Sequence, residues 1–229
     1  MKRIFILLII AVVVIMLVLF GLKSVYKKTS EPSAAKIQSS SVSTDAAWNK
    51  EDASNNAENI QTFSGFVLPL DKARERVIKK PFEIHVDSKN SPVQPEMFSG
   101  YHTGTDFEAY PSEQDIDIPV YAIVSGKILT KEWANGYGGV LVESASINGN
   151  LATIIYGHLK LDSIDKKSGD SLDAGEQIGI LGKGYSRETD GERKHLHLGI
   201  KKGNNVNILG YVKNKNDLVQ WIDPMTIIP

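Results

Sequence analysis

Two apolar, β-branched runs, Val140-Leu-Val-Glu-Ser144 and Leu151-Ala-Thr-Ile-Ile155, flank the pair Asn148-Gly149. Nothing else in the chain limits its fold as firmly, because Asn-Gly accepts the positive φ angles that a tight hairpin turn imposes. Short β-rich runs broken by Gly and Asn recur after it, and no long helical period competes with them. The expectation is a mainly β fold with antiparallel pairing.

Four of the five histidines fall into three short patterns, His102-Thr-Gly-Thr-Asp106, Tyr156-Gly-His158-Leu159 and His195-Leu-His197. Such clustering points to a zinc hydrolase site, where the protein supplies about three ligands and leaves a position for water. With no cysteine in the chain, imidazole and carboxylate must supply them. Residues two apart on a strand share a face, so His195 and His197 project together while Leu196 points the other way. His102 and Asp106 stand four apart, an even step on a strand and about one turn of a helix; Gly104 and the two threonines argue against helix. His158 closes the run Leu151–Tyr156, a strand that becomes more polar at its end. His85, alone in Phe82-Glu-Ile-His-Val86, is the kind of single strand histidine that serves structure. A structural zinc site is disfavoured, since those are closed by four protein ligands and often use thiolate.

The order His-x-x-x-Asp, Tyr-x-His-Leu, His-x-His resembles the lysostaphin-type zinc endopeptidases, which cut the peptide stems and bridges of bacterial peptidoglycan. The segments Ile118–Ile128, Asn135–Gly139 and Gly169–Gly179 resemble that family's connecting segments as well, so the likeness runs roughly from residue 95 to 202. The resemblance implies that His102, Asp106 and His197 hold one zinc ion per domain. It implies that His158 and His195 act on the reacting water and carbonyl. Two departures stand out. Where the family commonly has a small Ser/Thr-Gly loop before His-x-His, this chain has Glu188-Thr-Asp-Gly-Glu-Arg-Lys194, and Leu198-Gly199 replaces an aromatic and an acidic residue after it. Arg193 or Lys194 could pair with carboxylates of an acidic stem peptide, but a solvated, charged hairpin loop is the preferred expectation. Tyr101, Trp133, Tyr137 and Tyr185 are expected in core or rim packing rather than in the site. The glycines at 136, 138 and 139 lack the Lys-Ser/Thr ending of a phosphate cradle and belong to a turn.

Residues Ile4 to Leu22 carry no charge, and at about 1.5 Å per helical residue they are long enough to cross a bilayer core. Residues 1–28 are therefore expected to form a retained membrane anchor with basic flanks. The competing reading is a cleaved signal peptide, whose apolar region is usually about 7–15 residues with a nearby small-x-small site. Residues 29–62, rich in Ser, Ala, Asn, Asp and Glu, cannot bury enough apolar surface to offset ordering entropy and are expected to be a disordered tether. Residues 63–229 then make one peptidase domain by size. Lys and Arg number 26 against 27 Asp and Glu, which argues against a nucleic-acid partner because there is no basic excess to displace phosphate counterions.

The full expectation is a single antiparallel β-sheet peptidase domain preceded by a transmembrane helix and a disordered tether. Its partners are peptidoglycan peptides as substrate and the membrane through the amino-terminal helix, with the domain on the extracytoplasmic side. The rival expectation is a non-catalytic wall-binding or regulatory module of the same fold that activates another cell-wall hydrolase. The sequence sets no oligomeric state.

Overall fold

The computed structural model describes residues 65–229 with the exception of Val77. The expected anchor over 1–28 and tether over 29–62 lie outside the described residues, as do the first two positions of the expected peptidase domain. Among the described residues no helix is long and apolar enough to cross a membrane. The helical segments are 3₁₀ turns of three to six residues.

Twelve strands follow along these residues: β1 (His85–Val86), β2 (Gly100–His102), β3 (Gly104–Glu108), β4 (Pro119–Tyr121), β5 (Gly126–Ala134), β6 (Gly138–Ile147), β7 (Asn150–Gly157), β8 (Ser171–Leu172), β9 (Gln177–Ile180), β10 (His195–Lys202), β11 (Tyr211–Val212) and β12 (Trp221–Ile222). All pairings are antiparallel. The expected mainly β, antiparallel fold is found, but its strands divide among three sheets rather than one. The largest runs β12-β10-β7-β6-β5-β8, with β3 also paired to β10; β1-β2-β11 and β4-β9 make two small sheets.

The Asn148-Gly149 turn joins β6 to β7 with φ angles of 51° and 78°, and Ile147 faces Asn150 across it. Both central residues need positive φ, and this is the requirement the Asn-Gly pair meets. A second turn, Asn135-Gly-Tyr137, joins β5 to β6 with Gly136 at φ 84°, so these glycines serve a hairpin as expected.

Side-chain alternation gives the large sheet two covered faces. Leu141, Ala145, Ile154, Tyr156, Leu196, Leu198 and Ile200 point into the main core. Val140, Val142 and Ile155 point the other way and pack with Tyr137, Val212, Leu218 and Trp221. His195 and His197 have the parity opposite to Leu196 and Leu198, so they lie on this second face, where the candidate site is built.

Candidate metal centre

Strand pairing brings the histidine motifs together. His197 on β10 faces Asp106 on β3 and, across its other edge, Gly157 on β7. His158 follows Gly157 directly and is therefore delivered to the same row. A Cβ at Gly157 would run into the Tyr137 ring and the His197 Cβ, so the closeness of these strands depends on glycine there. His102 ends β2, and the chain crosses from one sheet to another at Thr103, whose Oγ1 donates to the Leu209 carbonyl at 2.6 Å. The crossing turns the His102 ring toward Asp106.

Three donor atoms then converge. His102 Nε2 lies 3.1 Å from His197 Nδ1 and 3.3 Å from Asp106 Oδ1, and His197 Nδ1 lies 3.0 Å from Asp106 Oδ1. A tetrahedral zinc with bonds of about 2.0–2.1 Å needs ligand atoms about 3.3 Å apart, so the triangle fits such an ion. The protonation chemistry agrees. His102 Nδ1 faces the Pro81 carbonyl at 3.2 Å, and a carbonyl can only accept, so this nitrogen carries the proton and Nε2 offers a lone pair. His197 and Asp106 add a second imidazole nitrogen and a carboxylate oxygen to a site that is essentially closed to solvent. Three such acceptors with at most one proton among them suit a cation.

Electrostatics favour an ionised Asp106 and a neutral His197. Burial pushes the Asp106 carboxyl up, but His102 and His195 outweigh it and hold it well below the usual carboxylate range. Burial, aided by the neighbouring His102, pushes His197 down to about 4, so its ring is neutral near pH 7.

His158 and His195 stand beside the triangle, their ring centroids 4.2 Å apart. His195 Nδ1 donates to the Arg193 carbonyl at 2.9 Å, which leaves Nε2 facing Asp106 Oδ2 at 3.3 Å. His158 has φ of 63°, a backbone state rare for a residue with a Cβ, and its Nδ1 has no hydrogen-bond partner among the described residues. Burial, and then His195, push its pKa well below the ordinary value. All five residues singled out from the sequence line one cavity of about 440 Å³. His85 does not line it; it packs edge-on against Tyr101.

One expectation needs correction and another needs extending. Arg193 and Lys194 are not in a solvated loop: each is about 95 % buried. Arg193 forks onto Glu108, and Lys194 Nζ donates to the carbonyls of Glu113, Gln114 and Ile116. Tyr137 packs in the core of the second face as expected and also borders the cavity: its ring meets that of His197 edge-on at 5.2 Å, and its buried hydroxyl has no partner among the described residues. Lys80, Phe98 and Tyr211 also line the cavity and were not anticipated. The alternation of β3 carried one usable signal: Asp106 and Glu108 share a face, and two buried carboxylates there require a cation.

An antiparallel β domain with two imidazoles and a carboxylate gathered at one point, and two more imidazoles alongside, defines the class as a β-sheet protein with a candidate metal centre. Residues 100–208 match the sequence model of peptidase family M23, so this stretch is a domain of that lysostaphin-type family. None of the curated proteins compared with the chain matches it. Among solved structures, the chain is similar to the catalytic domain of the antimicrobial peptidase lysostaphin from Staphylococcus simulans, at 23% identity and a TM-score of 0.47 over 69% of this chain and 95% of that one. A zinc-containing peptidase from Vibrio cholerae is similar at 26% identity and a TM-score of 0.43, over 60% of this chain and 37% of that one. A chain of the SpoIIIAH and SpoIIQ complex is similar at 18% identity and a TM-score of 0.48, over 71% and 99%.

Proposed function

We propose that this chain is a membrane-anchored zinc metalloendopeptidase that hydrolyses peptide bonds in peptidoglycan stems or cross-bridges, with its domain on the extracytoplasmic side. The observation that carries the reading is the donor triangle of His102, Asp106 and His197 with His158 and His195 beside it in one cavity. The M23 match supports the peptidase class. The uncharged run from Ile4 to Leu22 supports a retained anchor over residues 1–28, and the polar composition of 29–62 supports a tether reaching from membrane to wall.

In this reading His102 Nε2, Asp106 Oδ1 and His197 Nδ1 would hold one zinc. Zinc in such a site supplies Lewis acidity, which makes water a nucleophile near neutral pH and stabilises charge built on a peptide carbonyl. The remaining work falls to the chain. His195, with its Nδ1 proton held by the Arg193 carbonyl, exchanges protons through Nε2. His158 and His195, side by side next to the donor triangle, handle the proton of the attacking water and the one returned to the leaving amine. Burial, and then Asp106, raise the Tyr137 phenol, so it stays protonated and remains a donor to the growing oxyanion.

The test is digestion of purified walls of known cross-link chemistry with the metal-loaded protein, followed by identification of the new amino termini. New termini at one defined stem or bridge bond are expected. A zinc-loaded protein that cleaves no cross-link class would overturn the enzyme and leave the wall-binding or regulatory module. Amino-terminal sequencing of the native membrane-bound protein tests the anchor, and a mature start near residue 30 would sink it.

A further inference from the structure

Arg193 is buried against two carboxylates, and the mechanism above uses only its main-chain carbonyl. We propose that its side chain is a positioning residue for the metal centre: clamped by Glu108, it occupies the second carboxylate oxygen of Asp106 and leaves Oδ1 alone to face the ion. The inference rests on the zinc reading of the site.

The contacts divide the two oxygens of the Asp106 carboxylate. Oδ1 lies 3.0 and 3.3 Å from the two imidazole donors, whereas Oδ2 accepts from Arg193 Nη2 at 2.9 Å and faces His195 Nε2 at 3.3 Å. A buried carboxylate with both oxygens free could rotate, or chelate an ion through both; a fixed N–H on one oxygen removes that freedom. Arg193 is itself held from the other side, with Nε 2.9 Å from each Glu108 oxygen and Nη2 2.7 Å from Oε1. Asp106 and Glu108 stand two apart on β3 and so share a face, which sets both anchor points for one planar guanidinium. An ammonium, a point charge, cannot span both with the same geometry.

The same residue acts a second time through its backbone. Its carbonyl accepts from His195 Nδ1, so Arg193 fixes a ligand with its side chain and the neighbouring imidazole with its main chain. Charge balance fits. Asp106, Glu108 and, at 3.7 Å, Glu192 all face one guanidinium, which leaves carboxylate in excess for an ion to neutralise.

The structural alternative is that Arg193 merely neutralises Glu108, and it can be separated by experiment. Zinc affinity of the full-length chain in detergent is measured by competition with a chelator of known affinity, and coordination is read from the visible spectrum of the cobalt(II)-loaded protein. Arg193→Lys keeps a cation beside Glu108, and the double variant Glu108→Ala/Arg193→Ala removes both charges, so neither leaves an uncompensated buried carboxylate at position 108. Both should fold yet bind zinc about 10–100-fold more weakly, the usual effect of losing a group that orients a ligand. Their cobalt spectra should lose intensity as Asp106 takes up two-oxygen coordination. Wild-type zinc affinity and cobalt spectrum in the double variant, or in Arg193→Lys should the double variant not fold, overturn the proposal. Absence of zinc binding in the wild type overturns the metal reading itself, and that outcome is distinguishable from the first.

Discussion

His195 and His197 share one face of one strand, yet their surroundings assign them different work. His197 Nδ1 closes the donor triangle, while His195 Nδ1 is held by a main-chain carbonyl outside it. His197→Ala should therefore lose zinc and wall cleavage together. His195→Ala should keep its zinc and lose about 10²–10⁴-fold in cleavage, the range for removing acid–base or oxyanion assistance. Paired metal analysis and cleavage assays on folded variants check both, and metal loss confined to His195→Ala would reverse the roles. At this scale the sequence was legible wherever parity on one strand decides direction, as with His195, Leu196 and His197. It was not legible for Arg193. A charged run beside glycine resembles any solvated loop until its partner is known, and the partner, Glu108, lies 85 residues away.

Strands β6 and β7 form a long hairpin of the large sheet, and their inward face carries one acidic residue. Glu143 is fully buried in the main core, accepting from the Tyr156 hydroxyl at 2.9 Å, which in turn accepts from the Ile123 amide. Burial pushes its carboxyl up to about 8. A folded-state pKa above the unfolded one means that its contribution is complete at acid pH and is lost as pH rises through about 8, because the folded state must then bury an anion. Glu143→Gln keeps a side chain of the same shape without the charge. It should be more stable than wild type at pH 9, by roughly 2–4 kcal/mol given about 1.4 kcal/mol per tenfold change in proton affinity, with the advantage vanishing toward pH 4. Thermal or urea unfolding across that range measures it, and a pH-independent difference would contradict it. The hairpin itself was readable from Asn148-Gly149 because turn chemistry is local. The break at Thr103 was not, since an even spacing from His102 to Asp106 is compatible with one strand, and only the contacts of Thr103 with Leu209 and Gly210 show that two sheets meet there.

For the domain as a whole, acid should strip the metal late. Ligating imidazoles must be neutral, and His197, pushed down to about 4 by burial, competes for a proton only well below neutrality. Zinc content after dialysis at stepped pH should hold to about pH 5 and fall below it; the metal-free domain should lose stability as pH falls from about 6.5 to about 4, because the unfolded ring takes a proton near 6.5 and the folded one near 4. Loss of zinc already near pH 6.5 would contradict the ligand set. The small sheets and the cavity lining of Lys80, Phe98 and Tyr211 could not be foreseen, because short strands have weak periodicity and the three residues meet only through long-range packing. The placing of the donors has one more consequence. Asp106 and His197 are separated by 91 residues and meet only when β10 has paired with β3. A growing or truncated chain that stops before β10 has at most two of the three donors. The centre is thus gated by β10, and the chain would emerge from synthesis without a complete donor set until its last long strand is in place.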